Sequence, residues 1–255
     1  MNSLALASRL ALCLAVLAPF ATGCVAGDAD VDDDQVGEAS EALSPPPPPP
    51  PPPPASCLDI RSAHPGAPDG PYVLNIGHDP AKPWTAFCRN MATTPVEYLS
   101  LQHVGPDANF SQYTAGGASD GTSARTQFSK IRIDPATLLV DISDQTFSTS
   151  SGTTWNGSTA VTSMPYGVAM SCDDTASGVG NIDLTGTPFA VAAGEFVQGG
   201  YDNSGSATYS MGGRVVSLTG GGYCGWTCAS ASPSSETYNP FNQTGTFQLN
   251  LVYAP

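Results

Sequence analysis

Much of this 255-residue chain alternates apolar and polar residues, and this period of two restricts its fold more than any other feature. In residues 130–134, two isoleucines alternate with three charged residues. In residues 246–253, Phe247, Leu249 and Leu251 alternate with other residues in the same way. Because successive side chains of a strand point to opposite faces, both segments are predicted to be half-buried antiparallel strands. The frequent glycine and proline clusters between such segments predict turns.

The same pattern predicts a mainly β fold for most of the chain. Seven further strands are predicted, at residues 72–76, 85–88, 98–101, 138–142, 181–184, 207–211 and 214–218. One short helix is predicted at Cys57–Ala63, because Ser56 is a favoured N-cap residue and Pro65 prevents the helix from continuing. No long amphipathic helix is visible. The expected fold is a single antiparallel β-rich, disulfide-containing domain with one short N-terminal helix.

The charge of the chain excludes one class of partner. The sequence has 22 acidic and 8 basic residues, for a net charge of −14. Seven of the acids lie between residues 28 and 41, which leaves residues 55–255 with a net charge of −8. No basic residues are clustered, so nucleic acid is excluded as an expected partner.

The N-terminal residues have the order of an export signal. Arg9 precedes an uninterrupted apolar run at residues 10–20, which is too short to span a bilayer as a helix. The small residues that follow end at Cys24 and resemble the lipobox of bacterial lipoproteins. This resemblance implies a signal peptide at 1–23 and acylation of Cys24, and therefore a membrane partner through a lipid anchor. The residue after the cysteine is Val25 and not an aspartate, so the resemblance also implies sorting to the outer membrane or cell surface.

Two low-complexity segments separate this cysteine from the β-rich region. Residues 24–44 are acidic and poor in large apolar side chains, so a disordered leader is expected. Residues 45–54 are ten consecutive prolines, which form a polyproline II rod of roughly 30 Å at about 3.1 Å per residue. A spacer that holds a domain away from a membrane and a passive linker both fit this segment. The domain is then expected to occupy residues 55–255.

Five cysteines remain after Cys24, an odd number for an exported chain. Cys57 begins the predicted helix and Cys88 ends a predicted strand, so a disulfide between them would join the start of the domain to its sheet. Cys224 and Cys228 flank three residues and either pair with each other or supply one partner for Cys172. We expect Cys172 to pair with one of these two, which leaves one cysteine over.

Eight segments of the chain resemble the GON domain in their residues and in their order. They are residues 56–60, 69–76, 87–91, 97–101, 109–111, 126–134, 144–147 and 221–228. The GON domain is the C-terminal ancillary module of certain secreted zinc metalloproteases with thrombospondin repeats, the ADAMTS group. The resemblance implies an extracellular, non-catalytic interaction module, although this chain has no protease domain and fewer cysteines than that group.

The sequence predicts neither catalytic nor metal-binding residues. A zinc protease would need a His-Glu-x-x-His helix, and His64, His78 and His103 are too far apart in sequence to form one. Asp173 and Asp174 are adjacent, so as a strand they would point in opposite directions and not form a carboxylate pair. No cofactor is expected. A zinc-binding, metalloendopeptidase-related module is the alternative that the family association suggests.

Three aromatic residues in glycine-rich segments are the predicted binding residues. They are Tyr201, Tyr223 and Trp226. Exposed rings of this kind bind sugars or protein surfaces, and Trp226, between two cysteines, is expected to be the exposed anchor. The competing interpretation is that these rings cover the edges of a small sheet. The sequence therefore predicts a cell-envelope lipoprotein that binds extracellular protein or polysaccharide, with a structural envelope component as another alternative.

Overall fold

Two large β-sheets pack against each other and enclose the main core. The computed structural model describes residues 47–114, 122–173, 177–229 and 248–255. Nearly all of these belong to one compact unit, Pro50–Pro255. They form eighteen strands, one α-helix, and two 3-10 helices at Ile76–His78 and Met211–Gly213. The only α-helix in the described ranges has seven residues, so none of their helices is long and apolar enough to cross a membrane.

The predicted export signal, Cys24 and the leader at 24–44 lie outside the described residues and stay predictions. The final prolines of the predicted rod are described, and they contact the domain. The backbone N–H of Asn75 donates to the carbonyl oxygen of Pro54 at 2.8 Å. Nδ1 of His78 lies 2.8 Å from the carbonyl oxygen of Pro53. The end of the proline run is therefore held by hydrogen bonds to the end of the first strand and to the turn that follows it.

The predicted helix forms at Cys57–Ala63, and its N-terminus is capped as the sequence indicates. Oγ of Ser56 accepts a hydrogen bond from the backbone N–H of Asp59 at 3.1 Å. In return, Oδ2 of Asp59 accepts from the backbone N–H of Ser56 at 3.0 Å. This reciprocal capping box satisfies backbone donors that the first helical turn would otherwise leave unpaired.

The first sheet has seven antiparallel strands in the order β1-β2-β3-β6-β7-β18-β13, numbered along the chain. Their bounds are β1 Gly70–Asn75, β2 Pro83–Arg89, β3 Val96–Ser100, β6 Lys130–Ile133, β7 Leu139–Asp141, β13 Phe189–Val191 and β18 Gln248–Tyr253.

The second sheet has nine strands and is branched. Seven follow the order β14-β17-β11-β4-β12-β16-β15, and β5 and β8 extend it beside β4. Their bounds are β4 Phe110–Thr114, β5 Ser123–Phe128, β8 Ser148–Gly152, β11 Val168–Ser171, β12 Gly178–Asp183, β14 Phe196–Gly200, β15 Asn203–Ser210, β16 Val215–Gly222 and β17 Gly225–Ala229. A separate hairpin joins β9 Thr154–Asn156 to β10 Thr159–Val161.

The prediction of a mainly β, disulfide-containing domain with one short helix is confirmed. Each of the nine predicted strands corresponds to a strand of the structure, although the first two residues of segment 246–253 lie outside the described ranges. One pairing differs from the antiparallel expectation, since β4 and β11 are parallel. The sequence did not predict the remaining nine strands, among them β11 and β17.

The main core lies between the two sheets. Leu74, Trp84 and Phe189 of the first sheet and Ile182 and Leu218 of the second belong to one buried cluster. The rings of Trp84 and Phe189 meet edge to face at 5.3 Å between centroids. Burial of such large apolar side chains is the main source of stability for a domain of this size.

Glycines allow a second, tighter packing within the branched sheet. A Cβ atom at Gly220 of β16 would lie 2.0 Å from the carbonyl oxygen of Ala169 in β11, and one at Gly178 of β12 would lie 2.0 Å from that of Met170. Strand β11 therefore packs on these two strands at backbone contact distance, which only glycine permits. Beyond this crossing lies a smaller buried cluster that includes Tyr113 and Trp226.

Candidate functional site

Two exposed tyrosines meet where the β15–β16 pair ends. Tyr201 lies between β14 and β15, and Tyr223 lies between β16 and β17. Their side chains are 75% and 60% exposed, more than any other described aromatic side chain. The ring centroids are 5.8 Å apart, and the ring planes meet at 79°. The two rings thus form one aromatic surface, which we call the tyrosine pair.

Close backbone contacts hold the two tyrosine-bearing turns together. A Cβ atom at Gly222 would lie 1.7 Å from the carbonyl oxygen of Asp202, and one at Gly200 would lie 2.3 Å from that of Cys224. Both glycines have positive φ, as do the non-glycine residues Asp202 and Cys224. Non-glycine residues adopt this conformation only when their surroundings impose it. The backbones of the two turns that carry the tyrosines are therefore packed closely on each other.

A disulfide directly adjoins this surface. Cys224, the residue after Tyr223, is bonded to Cys172 at the end of β11. In the antiparallel pairing of β11 with β17, Ser171 lies opposite Gly225 and Val168 lies opposite Cys228. One further step of this register places Cys172 opposite Cys224. Because Cys228 lies four residues further along β17, about 13 Å at 3.3 Å per residue, the register selects Cys224 as the partner.

The other described cysteines are Cys57, Cys88 and Cys228. Cys57 is bonded to Cys88, which joins the helix to β2. Cys228 is buried in the smaller cluster and belongs to neither disulfide. These two bonds are the disulfides of the described residues.

The expectation that Trp226 is an exposed anchor is wrong. Its side chain is only 8% exposed, because β17 lies between β14 and β11 and all five of its residues are buried. The indole occupies the space above Gly199 and Gly200, where an added Cβ atom would lie 3.1 Å and 2.6 Å from the ring. Trp226 therefore packs on the backbone that precedes Tyr201 and is not an exposed anchor.

The remaining candidate residues do not converge on one site. His64 ends the helix, His78 binds the proline run, and His103 accepts a hydrogen bond from Asn109 through its backbone. Asp173 lies in a loop after β11, and Asp174 is outside the described residues. Among the residues that the structure describes, no three His, Cys, Asp or Glu side chains are grouped as metal ligands would be.

The sequence did not indicate two concave surfaces of the domain. An apolar groove of about 480 Å³ is lined by Val191, Gly194, Tyr209 and Val252, among others. A polar cleft of about 390 Å³ contains Glu97 and the ion pair between Arg132 and Asp141, whose charged atoms are 3.7 Å apart.

Glu97 is the residue of the polar cleft with the most unusual environment. Burial raises the pKa of its carboxyl group, although Oε1 accepts a 2.6 Å hydrogen bond from the backbone N–H of Cys57. That bond lies at the first turn of the helix. The contact therefore fixes the helix on β3, and Glu97 has a structural role.

Comparison with known families agrees with the sequence resemblance. The model of the GON domain matches residues 54–119 and 116–237, which is more than two thirds of the chain. No curated protein and no solved structure gives a significant match.

Proposed function

Because this chain belongs to the GON domain family, we propose that residues 55–255 form a non-catalytic module that binds protein or polysaccharide outside the cell. The observation that carries this proposal is the tyrosine pair. Soluble domains bury most of their aromatic area, yet two large rings are exposed here next to each other. Tyrosine combines an apolar ring with a hydroxyl group, and it is enriched where proteins bind their partners.

The close packing of the two tyrosine-bearing turns also supports a binding role. The adjoining Cys172–Cys224 disulfide and the glycine contacts at Gly200 and Gly222 hold both turns. A surface that is already ordered before binding loses less conformational entropy when a ligand arrives. Two rings are then enough to give affinity, because little binding free energy is spent on ordering the surface.

We further propose that the N-terminal region attaches this module to a membrane. In this proposal Cys24 carries the lipid, residues 24–44 are the acidic leader and the prolines are the spacer. The hydrogen bonds from Asn75 and His78 to the last two prolines support a defined junction between spacer and domain. The module would then be presented at the outer membrane or the cell surface.

The proposed function is tested by binding of the purified chain to isolated cell-envelope polymers. The chain is compared with the double variant Tyr201→Ala/Tyr223→Ala and with Trp155→Ala, whose ring is 40% exposed on the separate β9–β10 hairpin. We expect saturable binding by the chain and by Trp155→Ala. Loss of two central aromatic contacts is expected to cost about 2 kcal/mol or more, at least a thirtyfold loss of affinity for the double variant.

Two results would contradict this function. One is envelope binding that the double variant retains in full. The other is turnover of a peptide or glycan by the chain that a single side-chain substitution abolishes, because such a result would identify an enzyme.

A further inference from the structure

A row of hydroxyl groups extends from the tyrosine pair along the β15–β16 pair. In β15, every second residue faces solvent, and these residues are Ser204, Ser206, Thr208 and Ser210. Ser217 and Thr219 of β16 lie opposite Thr208 and Ser206. The hydroxyl groups of Ser206 and Thr219 are 2.9 Å apart and hydrogen bonded. These six residues form the hydroxyl strip.

The hydroxyl strip adjoins the tyrosine pair directly. Asn203 pairs with Gly222 at the end of the two strands, and the next residues outward are Asp202 and Tyr223. The strip begins one residue after this pair, at Ser204. From Ser204 to Ser210 the strand advances by six residues, about 20 Å at 3.3 Å per residue. Along the two strands, the turns that carry the tyrosines are therefore followed by a long polar strip.

The charge of this surface restricts the ligand. None of the six residues is ionisable, although residues 55–255 have a net charge of −8. A polyanion would be repelled by the domain and would find no cation on the strip. A cationic protein surface would find no carboxylate on it. The charged residues beside the strip lie at its ends: Asp202 is exposed next to Tyr201, and Val215, opposite Ser210, follows Arg214 and pairs with Asp183 of β12.

We infer that the ligand of this surface is a neutral, linear polysaccharide. The inference rests on the proposed function and specifies its ligand. The face of a sugar ring presents C–H groups that stack on tyrosine, and its edge presents hydroxyl groups that exchange hydrogen bonds with serine and threonine. The tyrosine pair binds one end of the chain, and the strip binds the sugars that follow.

The inference is tested by calorimetric titration of the full chain with cellohexaose, chitohexaose and maltohexaose, with polygalacturonate as the charged comparison. We expect saturable binding of at least one neutral hexamer and weaker binding of polygalacturonate. Tyr201→Ala and Tyr223→Ala are each expected to lower that affinity about tenfold. Thr208→Asp adds a charge at an exposed position of the strip. It is expected to weaken binding of the hexamer more than binding of the corresponding trimer, because the trimer need not reach beyond the tyrosines.

Two controls make the outcomes distinct. Trp155→Ala should bind like the unmodified chain, and equal thermal midpoints for all variants show that each is folded. If envelope polymers bind through the tyrosine pair but no neutral hexamer does, the ligand class is wrong and the proposed function stands. A protein ligand whose binding is lost in the tyrosine variants would likewise overturn the ligand class alone. If no binding depends on the tyrosines, both proposals are overturned.

Discussion

Replacement of Gly220 by alanine tests the tight packing of β16 on β11 and β17. The added Cβ atom would lie 2.0 Å from the carbonyl oxygen of Ala169 and 2.9 Å from the backbone nitrogen of Thr227. Contacts below 3.0 Å are essentially never observed, so β11 or β16 must move by about 1 Å. Both neighbouring atoms are backbone atoms, and no flexible side chain can yield.

The magnitude follows from what this movement disrupts. β11 pairs with β4 on one side and β17 on the other, so its displacement weakens two ladders. Overpacking of a well-packed core costs about 1–3 kcal/mol, and each weakened hydrogen bond adds about 1 kcal/mol. We expect Gly220→Ala to lower the free energy of unfolding by about 3 kcal/mol or more. For a domain of this size the thermal midpoint then falls by roughly 6–12 °C.

Urea unfolding followed by circular dichroism measures this difference. The matched control is Gly70→Ala in β1, where an added Cβ atom has no heavy atom within 4 Å. There the loss of glycine flexibility in the unfolded chain should leave the domain equally stable or up to about 1 kcal/mol more stable. A Gly220→Ala variant within about 1 kcal/mol of the unmodified chain would refute the proposed packing.

Three further predictions concern the disulfide, the cleft and a buried amide. Cys88→Ser removes the disulfide to Cys57, which spans a sequence separation of 31, and should lower the free energy of unfolding by about 2–5 kcal/mol, measured as a lower urea midpoint. Cys228→Ala should leave both disulfides intact in peptide mapping. Since burial raises the pKa of Glu97, its ionisation is less favourable in the folded state; stability should therefore fall as pH rises from the ordinary glutamate pKa through the raised one. Glu97→Gln should remove that fall in urea titrations at several pH values, and an unchanged slope would contradict the assignment. Asn109→Ala removes the oxygen that accepts hydrogen bonds from Tyr166 Oη at 2.7 Å and from the Asp183 N–H at 2.9 Å. The free energy of unfolding should therefore fall by about 3 kcal/mol. A loss below about 1 kcal/mol would show that the network is dispensable.

The sequence predicted strands whose apolar and polar residues alternate clearly, and it missed several that are buried on both faces. β6 and β18 alternate apolar and polar residues and were predicted. β17 is buried at all five positions, and its Gly-Trp-Thr-Cys-Ala sequence has no alternation, so the pattern predicts no strand there. The misplacement of Trp226 follows from this error.

The candidate site depended on information that a local pattern does not contain. Tyr201 and Tyr223 could each be selected as aromatic residues in glycine-rich segments. Their contact depends on the register of β15 against β16, which pairs residues nineteen apart at Asn203 and Gly222. The choice of Cys224 over Cys228 likewise depends on the register of β11 against β17. Long-range register is a property of the folded sheet, and the sequence left both questions open.

The central claim, that the tyrosine pair is the binding surface, is tested most directly by NMR of the labelled chain during titration with a solubilised envelope polymer. This measurement locates the ligand without a prior choice of residues. Saturable shifts should appear at the Tyr201 and Tyr223 rings and along the hydroxyl strip, and the groove lined by Val191 and Tyr209 should not change. Shifts confined to that groove or to the cleft at Glu97, with both tyrosine rings unaffected, would contradict the claim.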